Sequence, residues 1–373
     1  MQECYLPTGN EWVSLPTLQA CTGALESFSF LHMGHKGLIE QRGGASLPLM
    51  TPFFETEGER ASLQSLTWGR KSDWIPTFCG TAGSLAVEGM LLAPVGERGF
   101  LYQLTVRSTS DKPLSSTFGL EGCWASAWHC VNEDKEIDGA RRCYTSLWND
   151  SLIFDMRCGL PLFAFAPMMD QPCSSTFQET DAGIVYRLAH NCTLEPGQAV
   201  TVTFYWGVGF EEVAAATSAK EMLRQGWQHE LQVTTDWLDA RRWPIPDAQL
   251  ERLYNTNLFF CLFYSAGITL DTEELVLVTS RSPRYYVSAA YWDRDSLLWS
   301  FPTVVDADPA LARRMLDYVF GRQRRNLGVH SRYIDGTVLE PGFELDELMA
   351  PVLALERYVG ATGDRDCLED NAI

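Results

Sequence analysis

The chain has 373 residues, 46% hydrophobic and 21% charged, with a mean hydropathy of −0.12. That profile belongs to folded globular domains and excludes long disorder, collagen-like repeats and a helical membrane bundle, while the length favours two domains over one. Lys+Arg number 29 against 48 Asp+Glu, a net charge of −19 that repels nucleic acid and anionic membrane surfaces and leaves neutral or cationic ligands.

From about residue 26 to 210 the dominant hydrophobic period is two. In 100–107, Phe100, Tyr102, Leu104 and Val106 alternate with Gln103, Thr105 and Arg107, which predicts a half-buried strand. After the turn signal Glu195-Pro196-Gly197, Val200, Val202, Phe204 and Trp206 alternate with Thr201, Thr203 and Tyr205. Shorter strands are predicted near 27–31, 61–67, 117–122, 151–156 and 183–188, separated by Gly, Pro, Asp and Ser clusters at the spacing of an antiparallel sandwich. Residues 1–210 therefore read as a β-sandwich.

The period then changes. Residues 213–225 and 231–241 are rich in Ala, Leu, Gln and Glu and predict helices within a linker over 211–245, closed by the break Trp243-Pro244-Ile245-Pro246. A long helix is predicted over 247–264, with apolar positions at Leu250, Leu253, Tyr254, Leu258, Cys261 and Leu262. The next is predicted over 295–305, kinked or ended by Pro302. A third follows the N-cap Asp308 and the N1 proline Pro309, with Ala312, Met315, Leu316, Val319 and Phe320 as its apolar stripe. The fourth spans 344–359, with Leu348, Met349, Val352, Leu353 and Leu355 expected to be buried and Arg357 in its last turn. After Thr362-Gly363-Asp364 a fifth begins near Asp366. Residues 246–373 thus read as the first part of a helical domain.

The eleven cysteines, from Cys4 to Cys367, fall at irregular spacing with no CxxC, which suits reduced thiols and a cytoplasmic setting better than a disulfide framework or a zinc site. The first residues, MQECYLPTGNEW, show neither a basic nor an apolar leader region, and no apolar run approaches the length of a membrane span. His32 and His35 are the only close histidine pair; lacking a third ligand in reach, they are expected to be a strand or turn feature, and no metal is expected. The sequence holds no HExxH, P-loop, GxSxG or dinucleotide fingerprint, so no cofactor is expected.

Two segments carry the polar and aromatic groups that chemistry needs. The first is 279–299, TSRSPRYYVSAAYWDRDSLLW, where Arg294 offers a planar donor fork, Asp295 two acceptor oxygens and Trp292 a stacking face. Those are the groups that hold a sugar's vicinal hydroxyls and its apolar face, and the twelve tryptophans of the chain lean the same way. The competing reading is structural: an Arg–Asp pair capping a helix, with Asp293 or Asp295 as N-cap and Trp292 and Trp299 in the core. The second segment is 328–347, GVHSRYIDGTVLEPGFELDE, with Asp335, Glu340, Glu344, Asp346 and Glu347 beside His330, Tyr333 and Phe343. Glycosidases need one protonated and one ionised carboxyl group, and such a loop can supply one. Alternatively Glu344, Asp346 and Glu347 only complement the N-terminus of the following helix.

A β-sandwich, a helical linker and then helices, with Tyr-Trp-Asp-Arg-Asp-Ser at 291–296, resembles the six-hairpin glycosidases, the α/α-barrel enzymes that include glucoamylases, glycogen-debranching glucosidases and processing α-glucosidases. Leu194-Glu195-Pro196-Gly197-Gln198 before a strand, with Thr235 and Trp237 ahead of the helices, is similar to that group's junction. The resemblance implies an N-terminal antiparallel β-sandwich followed by an incomplete all-α (α/α)6-type barrel. It also implies that Trp292, Arg294 and Asp295 grip the terminal sugar, with Phe343, Glu344 and Asp346 as the next wall of the pocket. The barrel of that group needs further hairpins, which carry its general acid and base, so this chain is expected to be an inactive N-terminal fragment; Asp335, Glu344 and Asp346 are the catalytic candidates within it.

The function implied is hydrolysis of α-linked oligosaccharides with inversion, through carboxyl groups ~6.5–9.5 Å apart. Two alternatives stay open. One is a sugar phosphorylase of the same plan, for which no basic cluster for phosphate is visible in the sequence. The other is a non-catalytic carbohydrate-binding or scaffold protein. Expected partners are an oligosaccharide and a second copy of the chain in a homo-oligomer, with neither nucleic acid nor membrane.

Overall fold

The structure, a computed structural model, describes residues 6–147, 149–159 and 163–370. The chain divides into two compact units. One comprises Met1–Phe28, Glu40–Trp128 and Glu136–Asp236; the other comprises Ser29–Ile39, His129–Lys135 and Trp237–Ile373.

In the first unit an eight-stranded antiparallel sheet runs in the order Ala140–Thr145, Leu152–Arg157, Phe163–Met169, Ala199–Gly209, Gly99–Ser108, Leu85–Leu92, Ile75–Ala82, Leu63–Lys71. A five-stranded sheet has the order Ser174–Thr180, Gly183–Leu194, Leu114–Trp124, Thr51–Thr56, Glu59–Ala61. The two sheets meet through aromatic side chains, which supply large apolar area and prefer offset or edge contacts. Phe154 and Phe165 of the larger sheet stack with centroids 4.7 Å apart, Trp124 of the smaller sheet meets Phe165 edge-on at 5.0 Å, and Tyr186 meets Trp206 at 5.6 Å. This is a β-sandwich.

The predicted alternation appears in the pair Gly99–Ser108 and Ala199–Gly209, with Phe100 opposite Trp206 and Leu104 opposite Val202. That pair is covered on both faces along much of its length, however, since Leu101, Gln103, Thr203 and Tyr205 are buried as well. Helix α1 (Glu212–Gln225) supplies part of the second cover: Ala215, Ala216 and Ala219 are buried, and a Cβ on Gly207 or Gly209 would strike the helix backbone. Small residues on both elements permit this approach. Helix α2 (Trp227–Asp239) begins where the Trp227 N–H donates to Tyr205 Oη at 3.0 Å.

The second unit is helical with short strands. Helix α3 (Ala248–Tyr264) starts at Asp247, whose side chain accepts from the Gln249 and Leu250 amides, each at 2.9 Å. Ala266–Ile268 pairs with Leu275–Leu277. A π-helical turn, Asp295–Ser300, runs on into α4 (Phe301–Ala307) with Ser300 and Phe301 both in the right-handed helical region, so Pro302 lies where the π turn gives way to the α-helix and does not end the run. Asp308 caps α5 (Pro309–Tyr318) by accepting from the Leu311 amide at 2.9 Å, as the Asp-Pro signal predicts, and the Arg241 guanidinium donates to it as well. After a π turn, Val319–Gln323, the hairpin Val329–Arg332 with Val338–Phe343 precedes α6 (Leu345–Thr362) and the short α7 (Asp366–Asp370).

Two expectations about helix faces are corrected. In α3, Leu258 and Leu262 are buried but Leu250, Leu253 and Tyr254 are exposed. In α6 the buried positions are Glu347, Ala350, Pro351, Ala354 and Tyr358, while Leu348, Met349, Val352 and Leu353 are exposed by 37 to 50%. The small residues Ala350 and Ala354 face the neighbouring elements because Glu347 must enter the buried ion network described below. The ten described cysteines form no disulfide, and Cys4 lies outside the described residues.

Candidate functional site

The residues singled out at 291–296 and 340–347 come together at the start of α6. Tyr291 pairs with Arg332 in a two-way backbone bridge, N–H to O at 2.9 and 3.1 Å, which fixes the 291–294 segment against the hairpin. The fully buried Arg332 side chain donates to the fully buried Asp293 carboxylate, and Tyr291 Oη donates to Asp293 Oδ1. Burial pushes Asp293 upward against the pull of Arg332, the arrangement that a buried charge needs to remain ionised. Glu347 Oε2 accepts from the backbone N–H groups of Asp293 at 2.6 Å and Arg294 at 3.4 Å.

With its backbone held in this way, the Arg294 side chain projects among four carboxylates. Nη1 lies 3.1 Å from Glu344 and 2.9 Å from Asp346, Nη2 lies 3.7 Å from Glu347 Oε1, and Nε lies 3.8 Å from Asp295 Oδ1. Arg294 is half-buried, Asp295 nearly buried and Asp346 exposed. Asp295 Oδ1 and Glu347 Oε1 are buried and accept no hydrogen bond from the described residues. Trp292 is buried and meets the His330 ring edge-on at 5.7 Å; His330 Nδ1 lies 2.8 Å from Glu344 Oε1. Phe343 is 70% exposed at the end of the hairpin.

The carboxyl groups divide by environment. The Arg294 hydrogen bond holds Asp346 below the usual carboxylate range. Burial pushes Asp295 upward, opposed by Arg294, and burial together with the Asp293 charge pushes Glu347 up to about 8. Of the sequence candidates, Trp292, Arg294, Asp295, Glu344 and Asp346 belong to this cluster. Asp335 has other partners: Lys36 Nζ at 2.9 Å and the Thr337 amide and hydroxyl at 2.9 and 2.6 Å, whose pull outweighs burial and holds it low.

The capping reading of 291–299 is not what the structure contains. No side chain caps the turn at Asp295, Asp293 is committed to Arg332, and Trp299 is 63% exposed. The sequence candidates omit Arg332, and they include Glu347 as one of a loop's carboxyl groups or as a helix-end charge, not as the acceptor that holds the 293–294 backbone. The one sequence signal for Arg332 is an arginine inside a short strand run beside apolar neighbours, and its partner is 39 positions away. His32 ends a strand, and its Nδ1 lies 3.1 Å from Asp271.

No protein-family model matches the chain, and no curated protein matches it in sequence. Solved structures do match it. A protein described as a kojibiose phosphorylase from the human microbiome superposes with a TM-score of 0.66 at 10% identity, over 97% of this chain and 54% of that one. A bacterial glucoamylase complexed with acarbose superposes with a TM-score of 0.56 at 10% identity, over 100% of this chain and 59% of that one. The chain therefore spans little more than half the length of either, and at this identity the likeness speaks to fold alone. Over the part it spans, the chain shares the fold of these two proteins, a β-sandwich followed by helices.

Proposed function

We propose that the cluster around Arg294 is a sugar-binding wall of a carbohydrate-active enzyme, and that the reaction is hydrolysis of α-linked oligosaccharides with inversion. The observation that carries this reading is one guanidinium set among four carboxylates, Asp295, Glu344, Asp346 and Glu347, beside Trp292. Such a surface is rich in acceptors and negative in balance. It repels anions and suits a neutral polyol, whose hydroxyls donate to the carboxylates while Arg294 donates to the sugar oxygens. In this reading Arg294 and Asp295 grip vicinal hydroxyls, and Phe343, Glu344 and Asp346 form the adjoining wall. Asp346 and Asp335 are held ionised, which suits an acceptor or base and not a general acid. Glu347 has no exposed surface and is a positioning residue for the 293–294 backbone.

The test is calorimetric titration of the chain with a panel of α-glucosides and α-mannosides, for the unsubstituted chain and for Asp295→Asn and Arg294→Lys. Saturable binding weakened at least tenfold by either substitution is the expected result. Equal affinity in all three proteins would overturn the assignment. A phosphorylase is the second reading, supported by the likeness to a protein of that description; it requires inorganic phosphate for turnover. Binding with no product formed by any longer form of the protein would leave the non-catalytic reading.

A further inference from the structure

Among the described residues, the three aromatic rings most open to solvent are Tyr286, Phe343 and Trp299, exposed by 76, 70 and 63%. All three lie in 279–299 and 328–347, the two segments whose side chains meet at Arg294. Single exposed rings are ordinary on a protein surface; their concentration in the segments of one acceptor-rich cluster is not. Trp292, by contrast, is only 5% exposed, so its ring offers no open face beside Arg294.

Tyr286 sits on a turn whose backbone is fixed on both sides. The Tyr285 N–H donates to the Ser282 carbonyl at 3.1 Å, the Ser288 N–H to the Tyr285 carbonyl at 3.0 Å, and the Ala290 N–H to the Val287 carbonyl at 3.0 Å. Buried Ser288 takes φ +45°, a left-handed conformation that a residue with a side chain keeps only where its surroundings enforce it. A chain of contacts then ties this turn to the cluster. The Asn132 N–H donates to the Val287 carbonyl at 3.1 Å, and Asn132 Nδ2 donates to Glu340 Oε1 at 3.3 Å. Glu340 Oε2 lies 3.6 Å from His330 Nε2, and His330 in turn meets Trp292 and Glu344. Burial, Tyr286 and the Asp295 charge push the Tyr285 hydroxyl upward, so the turn stands within electrostatic reach of Asp295. Half-buried Tyr285 braces its exposed neighbour, with the two ring centroids 4.9 Å apart and the planes at 53°.

We propose that Tyr285 and Tyr286 form an aromatic platform for the second sugar unit of an α-linked oligosaccharide, whose first unit is held at Arg294 and Asp295. The proposal rests on the sugar-binding reading of that cluster and adds to it a preference for two linked units over one. The carboxylates and the guanidinium supply hydrogen bonds, and the tyrosine rings supply the flat apolar face on which the C–H groups of a sugar stack.

The experiment is calorimetric titration of the chain with methyl α-glucoside, maltose, methyl α-mannoside and an α-linked mannobiose. The disaccharide of one series is expected to bind at least about fivefold more tightly than its methyl glycoside. Tyr286→Ala should remove most of that advantage and leave the methyl glycoside within about twofold, while Tyr286→Phe, which keeps the ring, should retain the advantage. Asp295→Asn should weaken both ligands alike. Equal affinity for disaccharide and methyl glycoside in the unsubstituted chain overturns the platform, as does an advantage that survives Tyr286→Ala or is lost only in Trp299→Ala or Phe343→Ala. In each of those cases weakening by Asp295→Asn leaves the sugar-binding reading standing. Absence of saturable binding of all four sugars overturns both.

Discussion

Arg332 and Asp293 form an ion pair in which neither side chain has any exposed surface. Around it, Tyr291 donates to Asp293, and Arg332 lies over the Tyr291 ring at 4.9 Å and reaches the Gln323 carbonyl at 3.5 Å. The pair therefore ties three segments of the helical unit: the 291–294 stretch, the hairpin and the turn after α5.

Breaking this pair from one side leaves an uncompensated charge in a fully buried site, and such losses cost ~3–5 kcal/mol, more than the net value of the pair itself. Arg332→Met is therefore expected to destabilise the helical unit by about that amount. Asp293→Leu combined with Arg332→Met should cost clearly less than the sum of the two single changes. Urea denaturation of the four proteins checks this. Strict additivity would mean that the two side chains do not act as a pair.

Glu347 gives a pH dependence of definite sign. Its carboxyl, pushed up to about 8 by burial and the Asp293 charge, stays protonated in the folded chain at pH values where an unfolded glutamate, near ~4.3, has ionised. The folded state then binds more protons, so this group's contribution is fully present below about pH 4 and is lost as pH rises through about 8. Glu230 in the β unit, raised to about 7 by burial and the Glu97 charge, acts in the same direction. Unfolding free energy measured at pH 5, 6.5 and 8 is expected to fall across the series, and Glu347→Gln is expected to flatten the slope. A slope unchanged in Glu347→Gln would show that this carboxyl is ionised throughout.

The strands were legible because period two leaves a direct trace in sequence. Six of the seven predicted strands occur, most of them longer than the pattern alone indicated, as with Gly183–Leu194 against 183–188, while 61–67 falls across the end of Glu59–Ala61 and the start of Leu63–Lys71, which lie in different sheets. The Asp308-Pro309 cap was equally legible, since its chemistry is local. Tertiary pairing left no such trace. Arg332 reaches Asp293 across 39 positions and Glu347 reaches it across 54, and nothing in either segment names the other. On α6, positions 347, 350, 351, 354 and 358 and positions 348, 349, 352 and 353 both satisfy helical spacing, so periodicity could not choose between two faces, and hydropathy chose the one that the fold leaves open.

Gly122 tests the sandwich. It sits opposite Tyr186 in the pairing of Leu114–Trp124 with Gly183–Leu194, and an added Cβ would collide with the Leu49 carbonyl oxygen, to which Tyr186 Oη donates at 2.7 Å. Backbone cannot yield as a flexible side chain does. Gly122→Ala is expected to destabilise the β unit by ~1–3 kcal/mol, in the range of overpacked cores. Gly58→Ala, at a turn with φ +81° and nothing within 4 Å of the added atom, should cost only the backbone strain of ~1–2 kcal/mol. Thermal unfolding should show loss of the Tyr186 contact in the first variant alone, read by near-ultraviolet dichroism.

The open face of α6 carries Leu345, Leu348, Met349, Val352 and Leu353, with Phe343 just before it. Contiguous apolar surface of this kind drives association, because water gains entropy when two such faces meet. The chain is therefore expected to self-associate with rising concentration in sedimentation velocity. Val352→Lys with Leu353→Glu removes the centre of the stripe from positions that are already half in water, so folding stability should change by no more than about 0.5 kcal/mol per site. Association should fall sharply in the same variant. Self-association of undiminished strength in the doubly substituted chain would place the contact on a different surface, with the exposed Leu250 and Leu253 of α3 as the next to be replaced.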